Sequence, residues 1–152
     1  MDTLNIYSKA EDSRGRILSN FSHHPFVLDG RRLESAEGFI QGIAFPEGDQ
    51  RREAAFGSFG SKAKQFAEEQ EKKFVWWDGK TISFGSNEEH ELIEKALRAK
   101  FDQNADAREA LLATKGLRLT HELPDPEAPN TCLPAEVFCL ILMKIRGEYL
   151  GD

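Results

Sequence analysis

The stretch Leu33–Phe45, LESAEGFIQGIAF, decides how this chain is read. At roughly 100° per residue, Ala36, Phe39, Ile40, Ile43 and Ala44 fall on one apolar stripe, the pattern of a helix docked on a core. Ser35 is placed to cap the helix and Pro46 to end it. Glu37 and Gln41 lie one turn apart along the edge of the stripe, so Glu37 is neither plainly core nor plainly surface. An acid in the first turn suits the helix dipole. The same field predicts a lowered pKa and a carboxylate ionised at neutral pH. Such a group suits a general base or the stabiliser of a sugar cation, and does not suit a general acid. Spacing alone leaves an ordinary helix start and the lip of a pocket both open.

Working outward, Leu4–Tyr7 (LNIY) reads as a short strand. Phe26–Leu33 and Phe74–Gly85 each carry an Asp-Gly pair between apolar runs, the signal of a tight hairpin. GDQRREAAF and SKAKQFAEEQEKKF read as two surface helices separated by GSFG. Ser86–Phe101 is the clearest helix, with Leu92, Ile93, Ala96, Leu97 and Phe101 at helical spacing and Lys100 on the margin. NADAREALLATKG reads as a helix capped by Asn104 and stopped by Gly116. A proline-rich loop, LTHELPDPEAPNTCLP, then leads to a closing helix with Pro134 in its first turn. That helix is apolar on nearly every side from Phe138 to Ile145, which predicts a path through the core. Short strands among many helices, without alternating βαβ units, predict a compact, predominantly helical α+β domain spanning 1–152, with short antiparallel hairpins.

The chain has 152 residues, enough for one well-formed core. Its 39 % hydrophobic and 30 % charged residues are those of an ordinary globular protein. The net charge of −6 disfavours extended contact with a polyphosphate backbone, but leaves room for a local basic pocket. Arg31-Arg32, Arg51-Arg52, Lys62, Lys64 and Lys72-Lys73 are the residues that would build one, although solvated helix ends account for most of them. Two cysteines, Cys132 and Cys139, make no disulfide framework and fit a reducing compartment. The start, MDTLNIYSK, has no apolar signal region, and no run approaches a membrane span. The expected location is cytoplasmic, without a membrane partner.

Four scattered histidines, His23, His24, His90 and His121, form no metal-ligand pattern, so no metal is expected. Cys139 reads as a core residue. There is no GxSxG, and GSFGSK has the wrong lysine spacing for a P-loop.

Six segments occur in order along nearly the whole chain: GRILSNF, PFVLDG, SAEGFIQGIAF, KALRAKFDQN, LLATKGLRLTH and ILMKIR. In order and spacing they resemble the NADAR, or YbiA-like, family. The resemblance implies a compact, mainly helical fold and hydrolysis of N-glycosidic bonds. It points to substrates such as phosphorylated riboflavin-pathway intermediates or ADP-ribose attached to guanine, and it implies no cofactor. Glu37 matches the family's glutamate in its Ser-x-Glu helix start. Ser19, Asn20 and Phe21 match its SNF turn, Gln41 the glutamine one turn on, and Lys100-Phe101 the KF of the long helix. The chain departs from the pattern at Gly38, at Ala44 and at Gly85, where the family has an aromatic or histidine, a lysine and a tryptophan. It also lacks the Asp-x-x-Trp-Gly loop, where only Asp125 stands in, and the Asn-x-Leu-Gly before the last helix. These changes imply a different substrate or weaker chemistry.

The resemblance makes an N-glycoside hydrolase the leading expectation. The substrate would be a nucleotide-like or ADP-ribosyl molecule, or a modified nucleic-acid base. Breaking a C1′–N bond builds positive charge on the ribose, which Glu37 would stabilise while activating water. Asp125 is the candidate to protonate the leaving base. Asn20 and Gln41 are expected at ribose hydroxyls, Phe21 and Trp77 against a flat base, and Lys100 at a phosphate. A degenerate module that binds ADP-ribose or a nucleotide without cutting it is the alternative, and a purely structural interaction protein is the third reading.

Overall fold

The computed structural model describes residues 2–68 and 71–152. Two Asp-Gly pairs act as the sequence predicts. Asp29 and Gly30 have φ of 48° and 80°, Asp78 and Gly79 have 50° and 76°, and two consecutive positive φ values match the twist of a tight hairpin. They join β2 (Phe26–Leu28) to β3 (Arg31–Leu33), and β4 (Phe74–Trp77) to β5 (Lys80–Ser83), both antiparallel. The expected first strand forms as β1 (Thr3–Asn5), but its partner is β6 (Arg118–Thr120) and the pair is parallel. The expected antiparallel hairpins are thus joined by one parallel pair. The two strands are more than a hundred residues apart, so local turn chemistry carries no sign of their pairing.

Helix α2 spans Ala36–Gly42, with Ser35 Oγ accepting the Gly38 N–H at 2.9 Å. It ends in turns ahead of Pro46. All five residues of the predicted stripe are buried. Ser35 Oγ also donates to the Ser58 carbonyl at 2.8 Å, which ties the helix start to the chain leaving α3 (Gln50–Phe56). Gly38 permits that approach: a Cβ there would lie 2.4 Å from the Ala55 carbonyl oxygen and 2.7 Å from that of Ser58. The missing aromatic after Glu37 is thus a packing requirement of this chain.

The predicted helix over 61–74 is much shorter. Only α4 (Gly60–Lys64) is helical, turns follow to residue 68, and Glu69 and Gln70 lie outside the described residues. Helix α5 (Asn87–Gln103) is capped by Ser86. Helix α6 (Ala105–Leu112) follows Asn104, whose side chain donates to the Pro25 and Lys100 carbonyls and makes no cap. A helix the sequence reading lacked, α1 (Ser13–Leu18), begins at Asp12. The closing helix α7 (Ala135–Leu150) buries Phe138, Cys139, Ile141, Leu142 and Ile145, yet Leu140 is 56 % exposed, so one face looks outward and the helix does not run through the core. Among the described residues no helix is long and apolar enough to cross a membrane.

One hydrophobic cluster extends from Leu4 to Ile145 and includes Phe39, Phe56, Trp77, Leu97 and Phe138. It fixes α2 against α3, α4 and α5, and leaves the polar edge of α2 at its border.

Candidate functional site

Glu37 stands in the first turn of α2 and is half-buried. Its N–H donates to the Asn20 carbonyl at 2.9 Å, which joins the helix start to the Ser19–Phe21 turn. Its carboxylate accepts a 2.8 Å hydrogen bond on Oε2 from Gln41 Nε2. Gln41 is itself held, because its Oε1 accepts the Ala67 N–H at 3.0 Å. Gln41 therefore orients the carboxylate and is not left wholly free for a ribose hydroxyl. Among the described residues, Oε1 of Glu37 takes no hydrogen bond.

The electrostatics correct one expectation. Burial pushes the Glu37 carboxyl above its ordinary value, outweighing the Gln41 hydrogen bond and the positive charges of Lys64, His121 and Lys72, which pull it down. The helix dipole does not win, because removing a carboxylate from water costs more than a helix start returns.

Sequence spacing did not point to these three groups. Lys64 and Lys72 come from either side of the α4–β4 connection, while His121 follows β6. Lys72 Nζ sits over the Phe84 ring at 5.8 Å. The tail of the 121–134 loop reaches the same region. The Cys132 thiol is pushed far up, first by burial and then by the charges of Glu89 and Glu37, so it stays protonated and unreactive. Its carbonyl meets His90 Nε2 at 2.8 Å. Glu89 is fully buried and also raised by burial. One of its oxygens accepts the Gly85 N–H at 2.7 Å and its own N–H reaches Ser86 Oγ at 3.2 Å. That resembles a capping box, shifted so that the carboxylate takes the N–H one residue before the Ser86 cap, and it ties Glu89 to the start of α5.

The remaining predicted residues divide sharply. Asn20 lies beside Glu37, and its side-chain Oδ1 is buried without a hydrogen-bond partner among the described residues. Phe21 follows it, partly exposed, with its carbonyl accepting the Gly60 N–H at 2.9 Å. Lys100 is fully buried one layer behind. Its ammonium donates to the carbonyls of Ile17 (3.4 Å) and Ser19 (3.2 Å) and to Ser22 Oγ (3.1 Å). With all three donors used on the turn, it supports Asn20 and does not reach a phosphate. Ser22 Oγ meets His24 Nδ1 at 2.9 Å, and His24 Nε2 meets Asp106 at 2.8 Å, which extends the support to α6. Trp77 is only 5 % exposed. It packs edge-on against Phe39 and Phe56, and its Nε1 donates to Asp29 at 2.8 Å. It is core and is not a stacking platform. Asp125 sits on the fully exposed 122–130 segment of the loop. The structure thus brings Glu37, Gln41, Asn20 and Phe21 together and sets Trp77 and Lys100 behind them.

Comparison with known proteins places the chain in a family and a fold. A model of the bacteriophage protein GP30.3 family matches residues 14–147. The chain belongs to that family. A relative, the uncharacterized 17.1 kDa protein in the Gp30-rIII intergenic region of enterobacteria phage T4, is 36 % identical over 110 residues, 70 % of this chain and 72 % of the relative. N-glycosidase YbiA of Escherichia coli K12 is 29 % identical over 117 residues, 76 % of this chain and 67 % of that protein. The solution structure of E. coli YbiA superposes with a TM-score of 0.70 over 98 % of this chain and 85 % of that one, at 23 % identity. The GP30.3 family is NADAR-like, and its compact α+β fold is that of YbiA.

Proposed function

We propose that the protein is an N-glycoside hydrolase that cleaves the ribose C1′–N bond of a nucleotide-like or ADP-ribosylated substrate, with Glu37 at the reacting carbon. Homology to the N-glycosidase YbiA supports the reaction class. The observation that carries the residue assignment is the Glu37 carboxylate itself: half-buried, aimed by Gln41, with one oxygen open among the described residues and the charges of Lys64 and Lys72 acting on it. A carboxylate in that setting stabilises positive charge developing on the sugar and accepts a proton from the attacking water. Lys64 and Lys72 favour its ionised form and offset part of the cost of burial. Lys64 and Lys72 take the place first given to Lys100, as contacts for anionic groups of the substrate. The unpaired Asn20 Oδ1 is an acceptor for a ribose hydroxyl, since an orphaned buried acceptor gains by any donor it meets. Phe21 is the remaining aromatic for the base.

The test is Glu37→Gln, which keeps the bond to Gln41 and removes the basic oxygen. Wild type and variant are assayed for release of ribose 5-phosphate or ADP-ribose. The probes are ribonucleoside 5′-monophosphates, phosphorylated riboflavin-pathway intermediates and a guanine-ADP-ribosylated oligonucleotide. Turnover should fall by ~10²–10⁴-fold, and unchanged turnover removes Glu37 from the mechanism. One observation favours a second reading, a binding module without catalysis: the loop that replaces the Asp-x-x-Trp-Gly segment is exposed throughout 122–130. Thermal stabilisation by ADP-ribose with no product after long incubation would select that reading.

A further inference from the structure

Among the described residues Val27, Phe59, Phe74, Leu123 and Leu140 are large, apolar and exposed. Phe59 is set apart by the hydrogen bonds on either side of it. Before it, the Ser58 carbonyl accepts from Ser35 Oγ at 2.8 Å, and Ser35 caps the helix that carries Glu37. After it, the Gly60 N–H donates to the Phe21 carbonyl at 2.9 Å. The circuit closes through the next residue, because the Asn20 carbonyl accepts the Glu37 N–H at 2.9 Å. Phe59 is thus pinned between the cap of α2 and the Asn20–Phe21 turn, the two backbone segments that meet at Glu37.

The ring is also fixed from behind. It stacks on the His23 imidazole with centroids 4.1 Å apart and planes 10° apart. His23 Nε2 meets Glu34 Oε1 at 2.9 Å, and the other Glu34 oxygen accepts from Arg32 Nε at 2.8 Å. One face of Phe59 is therefore covered, yet the residue is 49 % exposed. It stands at the start of α4 with no side-chain cap bond, outside the hydrophobic clusters of the described residues. An aromatic ring held rigid with an open face loses little freedom when a second flat ring stacks on it. From Phe59, α4 runs on beside α2, and the Ala67 N–H that follows it bonds Gln41 Oε1 at 3.0 Å. On the way it carries Lys62 and Lys64, both exposed and suited to phosphate attached to such a ring.

We propose that Phe59, backed by His23, is a substrate-binding residue whose open face stacks on a planar heteroaromatic ring of the substrate. The proposal rests on the hydrolase reading of Glu37 for the molecule that carries the ring. That ring is the base leaving C1′ or the adenine of an ADP-ribosyl group, and the chemistry recognised is the same: a flat π-system joined through ribose to phosphate. The stack is made before the bond breaks and persists while it breaks, so it acts on KM and leaves kcat alone.

The experiment compares wild type, Phe59→Ala, Phe59→Tyr, His23→Ala and the double alanine variant on the probes named above. Phe59→Ala should raise KM by roughly tenfold with kcat within about threefold, and Phe59→Tyr should keep the wild-type KM. His23→Ala should raise KM by about threefold and add nothing to Phe59→Ala, because the imidazole acts only through the ring. A rise on the monophosphates identifies the leaving base as the stacked ring, and a rise confined to the ADP-ribosylated probe identifies adenine. Should Phe59→Ala melt early, Phe59→Leu, which keeps bulk and lacks a π face, takes its place. An unchanged KM on every probe, with Glu37→Gln inactive, overturns the stacking assignment and leaves the hydrolase reading standing. Wild type that cleaves none of the probes overturns the hydrolase reading, and stacking is then read by calorimetry with ADP-ribose. Weaker binding to Phe59→Ala than to wild type supports it, and equal binding, or none by wild type, overturns it.

Discussion

Glu37 and Lys100 are both ionisable groups taken out of water, and burial drives each toward its neutral form. They differ in what remains unused. Lys100 has three N–H donors and three acceptors from one turn, so nothing is left for a ligand. Glu37 has one oxygen fixed by Gln41 and another open among the described residues, with the charges of Lys64 and Lys72 favouring its ionised form. A saturated buried charge holds architecture, whereas an aimed but unsaturated one is available for chemistry. Both groups act on the same turn, since Ser19 and Ile17 accept from Lys100 and Asn20 accepts from the Glu37 N–H. The start of α2 is therefore tied to a turn that Lys100 braces from the interior.

The strongest way to break this contrast is Lys100→Met. It leaves two carbonyls and a hydroxyl without their donor, at a cost of about 3 kcal/mol, read by chemical denaturation. The pH dependence gives a second check. Burial brings Lys100 from an ordinary 10.5 down to about 7. Below pH 7 the lysine is charged in both states and the full cost of burying charge is present. Between pH 7 and 10.5 the unfolded chain keeps a proton the folded chain has shed, so this residue makes stability rise with pH. Cys139, raised by burial from 9.0 to about 11, acts in the opposite sense above pH 9, so the difference between wild type and Lys100→Met isolates the lysine. A difference that is flat from pH 7 to 10 would show that the ammonium is not desolvated.

Gly38→Ala probes the packing under the start of α2. The added Cβ would meet two backbone oxygens well inside contact distance, and backbone cannot swing aside as a side chain can. A loss of about 2 kcal/mol is expected, together with reduced turnover, because α2 must shift from α3 and carry Glu37 with it. A melting temperature equal to wild type would mean the α2–α3 contact is looser than drawn.

What the sequence disclosed follows from how local each feature is. The hairpins were legible because Asp29-Gly30 and Asp78-Gly79 are complete turn signals in two residues. Helix α2 was legible from apolar spacing and a serine cap, and α5 from apolar spacing alone. Helix α1 was not, because Gly15 inside it reads as a breaker. Its absent side chain instead admits the Asn5 carbonyl oxygen, which would lie 2.3 Å from a Cβ there. Glu37, Gln41 and Asn20 emerged from spacing and resemblance together. That the charges of His121, Lys64 and Lys72 act on Glu37 was in no one-dimensional pattern, since they arrive from three separate segments. The sign of the Glu37 shift was missed for the same reason: the dipole is visible in the sequence, the desolvation is not.

Gln41→Ala sharpens the distinction between aiming a carboxylate and supplying it. The variant loses the bonds to Glu37 and to the Ala67 N–H. A kcat lowered about tenfold with KM nearly unchanged is expected, equivalent to roughly 1.4 kcal/mol. The Gln41 donor favours the ionised carboxylate, so its loss raises the Glu37 pKa further. The acid limb of the rate profile should then move to higher pH, and an unmoved limb would separate Gln41 from the reacting group.

The smallest effect is expected at Trp77→Phe, and it checks which aromatics face the ligand. Phenylalanine keeps the edge-on packing with Phe39 and Phe56 but loses the Nε1 hydrogen bond to Asp29. Asp29 retains Lys95, whose ammonium lies 3.0 Å from both carboxylate oxygens, so its charge is not stranded. Stability should fall by about 1 kcal/mol, while kcat and KM stay at wild-type values because no ring face is available to a substrate. Phe21→Ala, made alongside it, should raise KM. If Trp77→Phe were instead to change KM and Phe21→Ala to leave it alone, the division into a braced interior and an open catalytic edge would be drawn through the wrong aromatic.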